Sequence, residues 1–179
     1  MFAEKIVFTE QEIEARVAEL GRRISADYAG REVVLVGVLT GAFIFTADLV
    51  RVLDLELTVD FIRVSSYGQA SSSCGEISLG KDLDCEIANR HVLLVEDIVD
   101  SGRTLAWLRQ HLLACRPASL KVCALLDKRE RREVEVAIDY PGFRVARGFL
   151  VGYGLDYAGR YRQRPAILEL VETGTDPRE

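Results

Sequence analysis

At 179 residues the chain has the length of one domain, or of one domain carrying a small flap, and its 49% hydrophobic content is enough to bury an ordinary core. A formal charge of −5 argues against a nucleic-acid binder, which shows a basic excess on one face. Cys74, Cys85, Cys115 and Cys123 make no C-x-x-C pair and do not group with His91 or His111 at zinc spacing, so reduced thiols and a cytoplasmic protein are expected.

The opening MFAEKIVFTEQEIEA is broken by charges, and no signal peptide is expected there. Thr9 followed by Glu12 is a capping box, opening a helix with Ile13, Val17, Leu20 and Ile24 on one face. Val33 to Leu39 is a continuous apolar run rich in β-branched residues, as in a strand covered on both sides of a parallel sheet. Thr40–Gly41 breaks the run and AFIFTADLVRVL follows as a helix. The uncharged stretch from Val33 to Ala47 falls short of the ~20 residues a spanning helix needs, so no membrane segment is expected. Leu57 to Val64 is the next strand. From Ser65 to Gly75 the chain is small, polar and glycine-containing; it cannot offset its ordering entropy by burial and is expected to be mobile. By composition alone it is an ordinary surface hairpin. HVLLVEDIV reads as a strand, DSGRT as a turn, LAWLRQHLLAC as a helix, KVCALLD as a strand and KRERRE as a solvated turn. FRVA, FLVGYGL and AILELVE read as shorter strands. The alternation implies an α/β fold: a central, mostly parallel sheet flanked by helices, with the loops after the strands gathered on one edge.

One of those loops carries unusual chemistry. Glu96 and Asp97 are adjacent carboxylates at a strand end, Asp100 follows, and Ser101-Gly102-Arg103-Thr104 opens a helix. The helix start offers unpaired N–H groups, hydroxyls and a positive dipole end, which together suit a phosphomonoester. Carboxylates just upstream would repel phosphate but accept hydrogen bonds from vicinal hydroxyls. Acid beside an anion cradle therefore points to a sugar phosphate. Neither a P-loop nor a G-x-G-x-x-G pattern is present.

VLLVEDIVDSGRTL resembles the phosphoribosyl pyrophosphate signature of type I phosphoribosyltransferases. GVLTGAFIFTADLVR, VDFIRVSSYG, LLDKRERREV and FLVGYGLDYAGRYR are similar to the hypoxanthine-guanine branch in its bacterial form, so the resemblance covers almost the whole chain. It implies the type I phosphoribosyltransferase fold in a single domain over 1–179, with a mobile active-site loop at about 65–80 and a small hood from the N- and C-terminal segments. It implies that Asp100 to Thr104 (Asp100, Ser101, Gly102, Arg103, Thr104) hold the 5-phosphate, Glu96 and Asp97 the ribose hydroxyls, and Thr40–Gly41 and Arg162 the pyrophosphate, with Arg160 and Arg164 as alternatives to Arg162. Asp100 matches the general base at purine N7. Lys128 matches the residue that reads the 6-oxygen, Phe149 the stacking aromatic, and Leu150 and Asp156 positions at the far edge of the base. Glu96, Asp97 and Asp156 are the carboxylates associated with Mg2+, and Ser66–Tyr67 belong to the mobile loop. Many relatives carry lysine or arginine before the glycine of the pyrophosphate loop, where this chain has Thr40.

The expected activity is transfer of the phosphoribosyl group from phosphoribosyl pyrophosphate to a 6-oxopurine, hypoxanthine or guanine, in a homodimer or homotetramer. The near alternative prefers xanthine. An alternative from another class is a phosphoribosyl-pyrophosphate sensor that binds nucleic acid, whose sole support is the basic cluster Lys128, Arg129, Arg131 and Arg132.

Overall fold

Alternate residues of the central strands face two different cores, which explains why those strands read as unbroken apolar runs. The computed structural model describes residues 2–66 and 77–173. On one face of the sheet, Val33 and Leu35 of β2 (Val33–Leu39), Leu93 and Val95 of β5 (His91–Val99) and Cys123 and Leu125 of β6 (Ser119–Lys128) are buried together. They pack against α1 (Glu10–Asp27), through Ile13, Val17, Leu20 and Ile24, and against Phe45 and Leu49 of α2 (Phe43–Val52). The intervening residues Val34, Val36, Val92, Leu94, Val122 and Ala124 pack on the other face under Leu105, Leu108 and Leu112 of α3 (Arg103–Ala114). The capping box forms as expected: Glu12 N donates to Thr9 Oγ1 at 3.3 Å and Thr9 N to Glu12 Oε2 at 2.8 Å.

The main sheet has six strands, ordered β4-β3-β2-β5-β6-β7, including β3 (Leu57–Ser66), β4 (Ile77–Lys81) and β7 (Tyr140–Val145). All neighbours are parallel except β4, which runs antiparallel to β3. After β2 the chain passes through α2 to β3 on one side; after β5 it passes through α3 to β6 on the other. The loops after β2 and β5 therefore diverge, and the crevice between them is where sheets of this kind bind ligands.

Four elements differ from the sequence expectations. β1 (Phe2–Phe8) is a strand, in a separate antiparallel sheet ordered β1-β9-β8 with β8 (Leu150–Val151) and β9 (Ile167–Glu172). Its first five residues are solvent-exposed, so neither face shows an apolar period. Residues 65–66 and 77–80, placed in the expected loop, lie in β3 and β4. The pairing Ser65↔Ser78 and a 2.8 Å contact between their hydroxyls satisfy polar groups that composition alone leaves unpaired. Tyr67 lies outside the described residues, as does Cys74; Cys85, Cys115 and Cys123 are free thiols. Finally, FLVGYGL is a strand only at Leu150–Val151, because Gly152, Tyr153 and Gly154 have positive φ and turn the chain. Among the described residues no helix is long and apolar enough to cross a membrane.

Candidate active site

Three strand ends supply the site. β5 carries Glu96 and Asp97, buried at 8% and 9% exposure. Burial pushes both carboxyls above the usual range, Glu96 well above it with the neighbouring Asp97 charge adding to the shift. Asp97 Oδ1 accepts from Ile98 N at 2.8 Å, while Glu96 Oε2 is buried without a hydrogen-bond partner among the described residues. Two desolvated acids, one oxygen unsatisfied, are a costly arrangement for a structural purpose.

The turn from Asp100 to Thr104 opens α3. Gly102 is the N-cap at φ 83, with no side-chain cap; Ser101 Oγ accepts from Arg103 N at 3.3 Å. The other N–H groups of the first turn are left for an anion, at the positive end of the helix. Glycine is required at 102 because a Cβ there would overlap Val134 O. A cavity is lined by the run from Glu96 to Gly102 together with Thr104 and Leu105.

β6 ends in Lys128. Pairing of Val99 with Asp127 sets Asp100 beside Lys128 at the sheet edge. Lys128 Nζ lies 3.4 Å from Asp100 Oδ2 and 3.5 Å from Glu130 Oε2, with its side chain 6% exposed. A lysine in a polar KRERRE run reads as a solvated turn charge; here it is drawn under the sheet edge by two carboxylates. Asp100 Oδ1 is buried with no hydrogen-bond partner among the described residues.

After β2, the Leu39–Thr40 peptide is cis, one bond before the Thr40–Gly41 pair. Gly41 packs on Asp97 so closely that a Cβ would overlap its carboxylate. Gly154, at φ 101, packs equally closely on Gly41 O. Arg162 donates to Gly154 O at 2.6 Å and pairs with Asp156 at 2.7 Å, and its charge lowers Asp97. Arg164 is turned away to Glu4 at 3.1 Å, whereas Arg162 is held on the carbonyl of Gly154, the residue packed on Gly41. Phe149 is 47% exposed and meets Tyr157 edge-on at 5.4 Å, while Leu150 is buried on β8. An aromatic this exposed is not a core residue.

Asp156 is held apart from the Glu96–Asp97 pair: Oδ1 faces Arg162 and Oδ2 accepts from Gly159 N at 2.8 Å. Among the described residues no group of three or more His, Cys, Asp or Glu is gathered for a metal ion. Glu96 and Asp97 do fit a hard divalent cation, since they are buried oxygen donors with one oxygen unpartnered.

Sequence reasoning marked Asp127 with Lys128 as a loop of unusual chemistry and counted Arg132 in a solvated basic cluster, but gave Asp127 and Arg132 no role and did not single out Gly154. Asp127 is buried and Arg132 Nη2 lies 2.6 Å from it, so half of the basic cluster is internal. Only a charged residue in the last position of an apolar strand, Asp127 in KVCALLD, signalled this.

A crevice at the switch point of a parallel sheet, with paired acids beside an uncapped helix start, is the site of a sugar-phosphate transferase. The phosphoribosyl transferase domain family model matches residues 5–158, and the chain belongs to that family. It is 47% identical to the hypoxanthine phosphoribosyltransferase of Salmonella typhimurium over 93% of this chain and 95% of that protein. A hypoxanthine-guanine phosphoribosyltransferase structure from Bacillus anthracis matches with a TM-score of 0.88 at 42% identity, covering 93% of this chain and 98% of that one. A Trypanosoma cruzi hypoxanthine phosphoribosyl transferase matches with a TM-score of 0.88 at 44% identity, covering 95% and 92%. The fold is that of the type I phosphoribosyltransferases.

Proposed function

We propose that the chain is a purine salvage enzyme that transfers the 5-phosphoribosyl group of phosphoribosyl pyrophosphate to N9 of hypoxanthine or guanine, giving IMP or GMP and pyrophosphate. The observation that carries this reading is the Asp100–Lys128 pair, a carboxylate and an ammonium 3.4 Å apart beside the uncapped start of α3.

In this reading the first turn of α3 holds the 5-phosphate through backbone N–H groups and the hydroxyls of Ser101 and Thr104. Glu96 and Asp97 accept from the ribose hydroxyls. Thr40, Gly41 and Arg162 receive the pyrophosphate, Thr40 and Gly41 through backbone alone. Phe149 stacks on the base, Leu150 and Asp156 border its far edge, and Lys128 donates to the 6-oxygen. Lysine has donors only, so it favours a 6-oxo group over the 6-amino group of adenine. Hypoxanthine, guanine and xanthine share the 6-oxygen, and Lys128 separates them from adenine rather than from one another. As the bond from N9 to C1 of the ribose forms, the C1–O bond breaks and pyrophosphate leaves with the electron pair. The proton carried by the imidazole ring of the base leaves N7 for Asp100. The Asp100 side chain is 34% exposed at the sheet edge, where its carboxylate can take that proton. The carboxylate also favours the positive charge developing at C1.

Mg2+ would be held by Glu96 and Asp97 and would supply charge neutralisation of the departing diphosphate. Asp156, engaged by Arg162, would meet the ion through water. Closure of Ser66 and Tyr67 over the site would exclude water from C1. A single domain, a cytoplasmic location and a homodimer or homotetramer belong to the same reading, on the strength of the family resemblance.

A nucleic-acid-binding sensor has less support. Lys128 and Arg132 are internal, and Arg129 is paired with Asp127 and Glu135 at 3.2 and 3.8 Å, so the basic cluster is not a free patch. Incubation with hypoxanthine, phosphoribosyl pyrophosphate and Mg2+ should yield IMP and pyrophosphate in equal amounts. Failure to form either product would overturn the proposal.

A further inference from the structure

The KRERRE run reads as a solvated turn, yet one of its arginines is clasped inside. The Arg132 side chain is 5% exposed and its guanidinium reaches four acceptors. Nε donates to Asp100 O at 2.9 Å; Nη2 is shared among Val99 O at 2.9 Å, Lys128 O at 3.0 Å and Asp127 Oδ1 at 2.6 Å. Val99 and Asp100 leave β5, whereas Asp127 and Lys128 end β6. One planar group therefore ties the two strand ends together at the residues that follow the Val99↔Asp127 pair.

The residues after Arg132 continue the clasp. Glu133 N and Val134 N both donate to Ser101 O, at 2.9 and 3.0 Å, and Arg103 pairs with Glu133 at 2.7 Å. The absence of room for a Cβ at Gly102 leaves no slack between this strap and the turn. Burial pushes the Asp127 carboxyl up, but hydrogen bonds from Arg132 and Arg129 outweigh it and hold it below its ordinary value. Both Asp127 oxygens therefore have partners, whereas Arg132 Nη1 is buried with no hydrogen-bond partner among the described residues, so the guanidinium is held through Nε and Nη2.

We infer that Arg132, with Asp127 as its counterion, is a positioning residue that sets the spacing of Asp100 and Lys128 and thereby the preference for a 6-oxopurine. This rests on the function proposed above. N7 and the 6-oxygen lie on one edge of a rigid base, so a proton acceptor and a donor that serve both must keep a fixed separation. Arg132 grips the main chain of both residues and leaves their side chains to the ligand. Its fork of N–H groups spans two loops at once; the ammonium of a lysine is a point donor and spans them poorly.

The test is the ratio of kcat/KM for hypoxanthine to that for adenine, with the hypoxanthine KM and melting temperature measured alongside. The ratio and KM do not depend on the fraction of enzyme that is folded, so a structural role alone leaves them unmoved. Arg132→Gln should lower the ratio about 10- to 100-fold, the loss expected from misplacing reacting groups by an ångström or so. Arg132→Lys should fall between Arg132→Gln and the native enzyme, and the KM for phosphoribosyl pyrophosphate should stay within about 3-fold, as the strap backbone still holds Ser101. If Arg132→Gln does not fold, Arg132→Lys and Asp127→Asn decide the matter by the same ratio. An unchanged ratio in the folded variants, whatever their melting temperatures, overturns the inference. Lys128→Ala is the control: a lowered ratio there with none in the Arg132 variants defeats the inference alone. An unchanged ratio in Lys128→Ala defeats the base-recognition reading beneath it.

Discussion

Replacing Gly41 by alanine should damage phosphoribosyl pyrophosphate use far more than a surface glycine change. A Cβ at position 41 would lie 2.5 Å from Asp97 Cγ and still closer to its Oδ2. The neighbour cannot give way freely, because Asp97 is buried and its Oδ1 is bonded to Ile98 N at 2.8 Å. Overpacking costs about 1–3 kcal/mol. Displacing a buried carboxylate from its hydrogen bond adds about 1–3 kcal/mol more. A net loss of about 3 kcal/mol corresponds to a fall of roughly 6–12 °C in melting temperature for a chain this long. Gly30→Ala is the matched control: φ is 72, but nothing lies within 4 Å of its Cβ, so it bears only the backbone strain of about 1 kcal/mol. Thermal unfolding by circular dichroism and steady-state kinetics with varied phosphoribosyl pyrophosphate read both variants. Gly41→Ala should lose about 100-fold in kcat/KM for that substrate, as expected when a positioning contact is displaced. Gly30→Ala should keep native kinetics. Native kcat/KM in Gly41→Ala, or an equal loss in Gly30→Ala, would refute the reasoning.

Asp100→Ala should lower kcat by about 100- to 10,000-fold while leaving the Kd for phosphoribosyl pyrophosphate within about 3-fold; near-native turnover by product chromatography would remove Asp100 from the role of base. EDTA should cut turnover by about 100-fold, with full recovery on adding Mg2+; an unaffected rate would mean that Glu96 and Asp97 act without a metal. At Asp60, burial alone pushes the carboxyl up, but hydrogen bonds from the N–H groups of Cys85, Phe61 and Asp84 hold it at about 2. Because the folded value lies below the unfolded one, its stabilisation is full above about pH 4 and is lost as pH falls from about 4 to about 2. That contribution, about 2 kcal/mol, should disappear from the acid dependence of urea unfolding in Asp60→Asn. Parallel pH profiles for the two proteins would contradict it.

The parts of the fold legible in the sequence were those with a one-dimensional signature. β2 and the central runs of β5 and β6 are apolar because both of their faces are covered, and Thr9 and Glu12 cap α1 within four residues of chain. The same holds for the turn at Ser101 to Thr104, whose donors follow one another in order. What escaped depends on register. That Asp100 faces Lys128 follows from the pairing of β5 with β6, and no spacing along the chain encodes it. Arg132 was hidden for the same reason: its acceptors lie 4 to 33 residues away, while its neighbours Arg131 and Glu133 are exposed. β1 carries no apolar period because it is a solvent-exposed strand of the small sheet. Gly154 serves Gly41, more than a hundred residues earlier, by letting its carbonyl approach.

The most direct test of the central claim is a panel of hypoxanthine, guanine, xanthine and adenine, each assayed with phosphoribosyl pyrophosphate and Mg2+. With Lys128 offering only donors to the base, hypoxanthine or guanine should show the highest kcat/KM and adenine the lowest by at least about 100-fold, the discrimination expected where a buried donor is left unpaired. Adenine turned over as well as hypoxanthine, or no turnover with any of the four, would contradict the account.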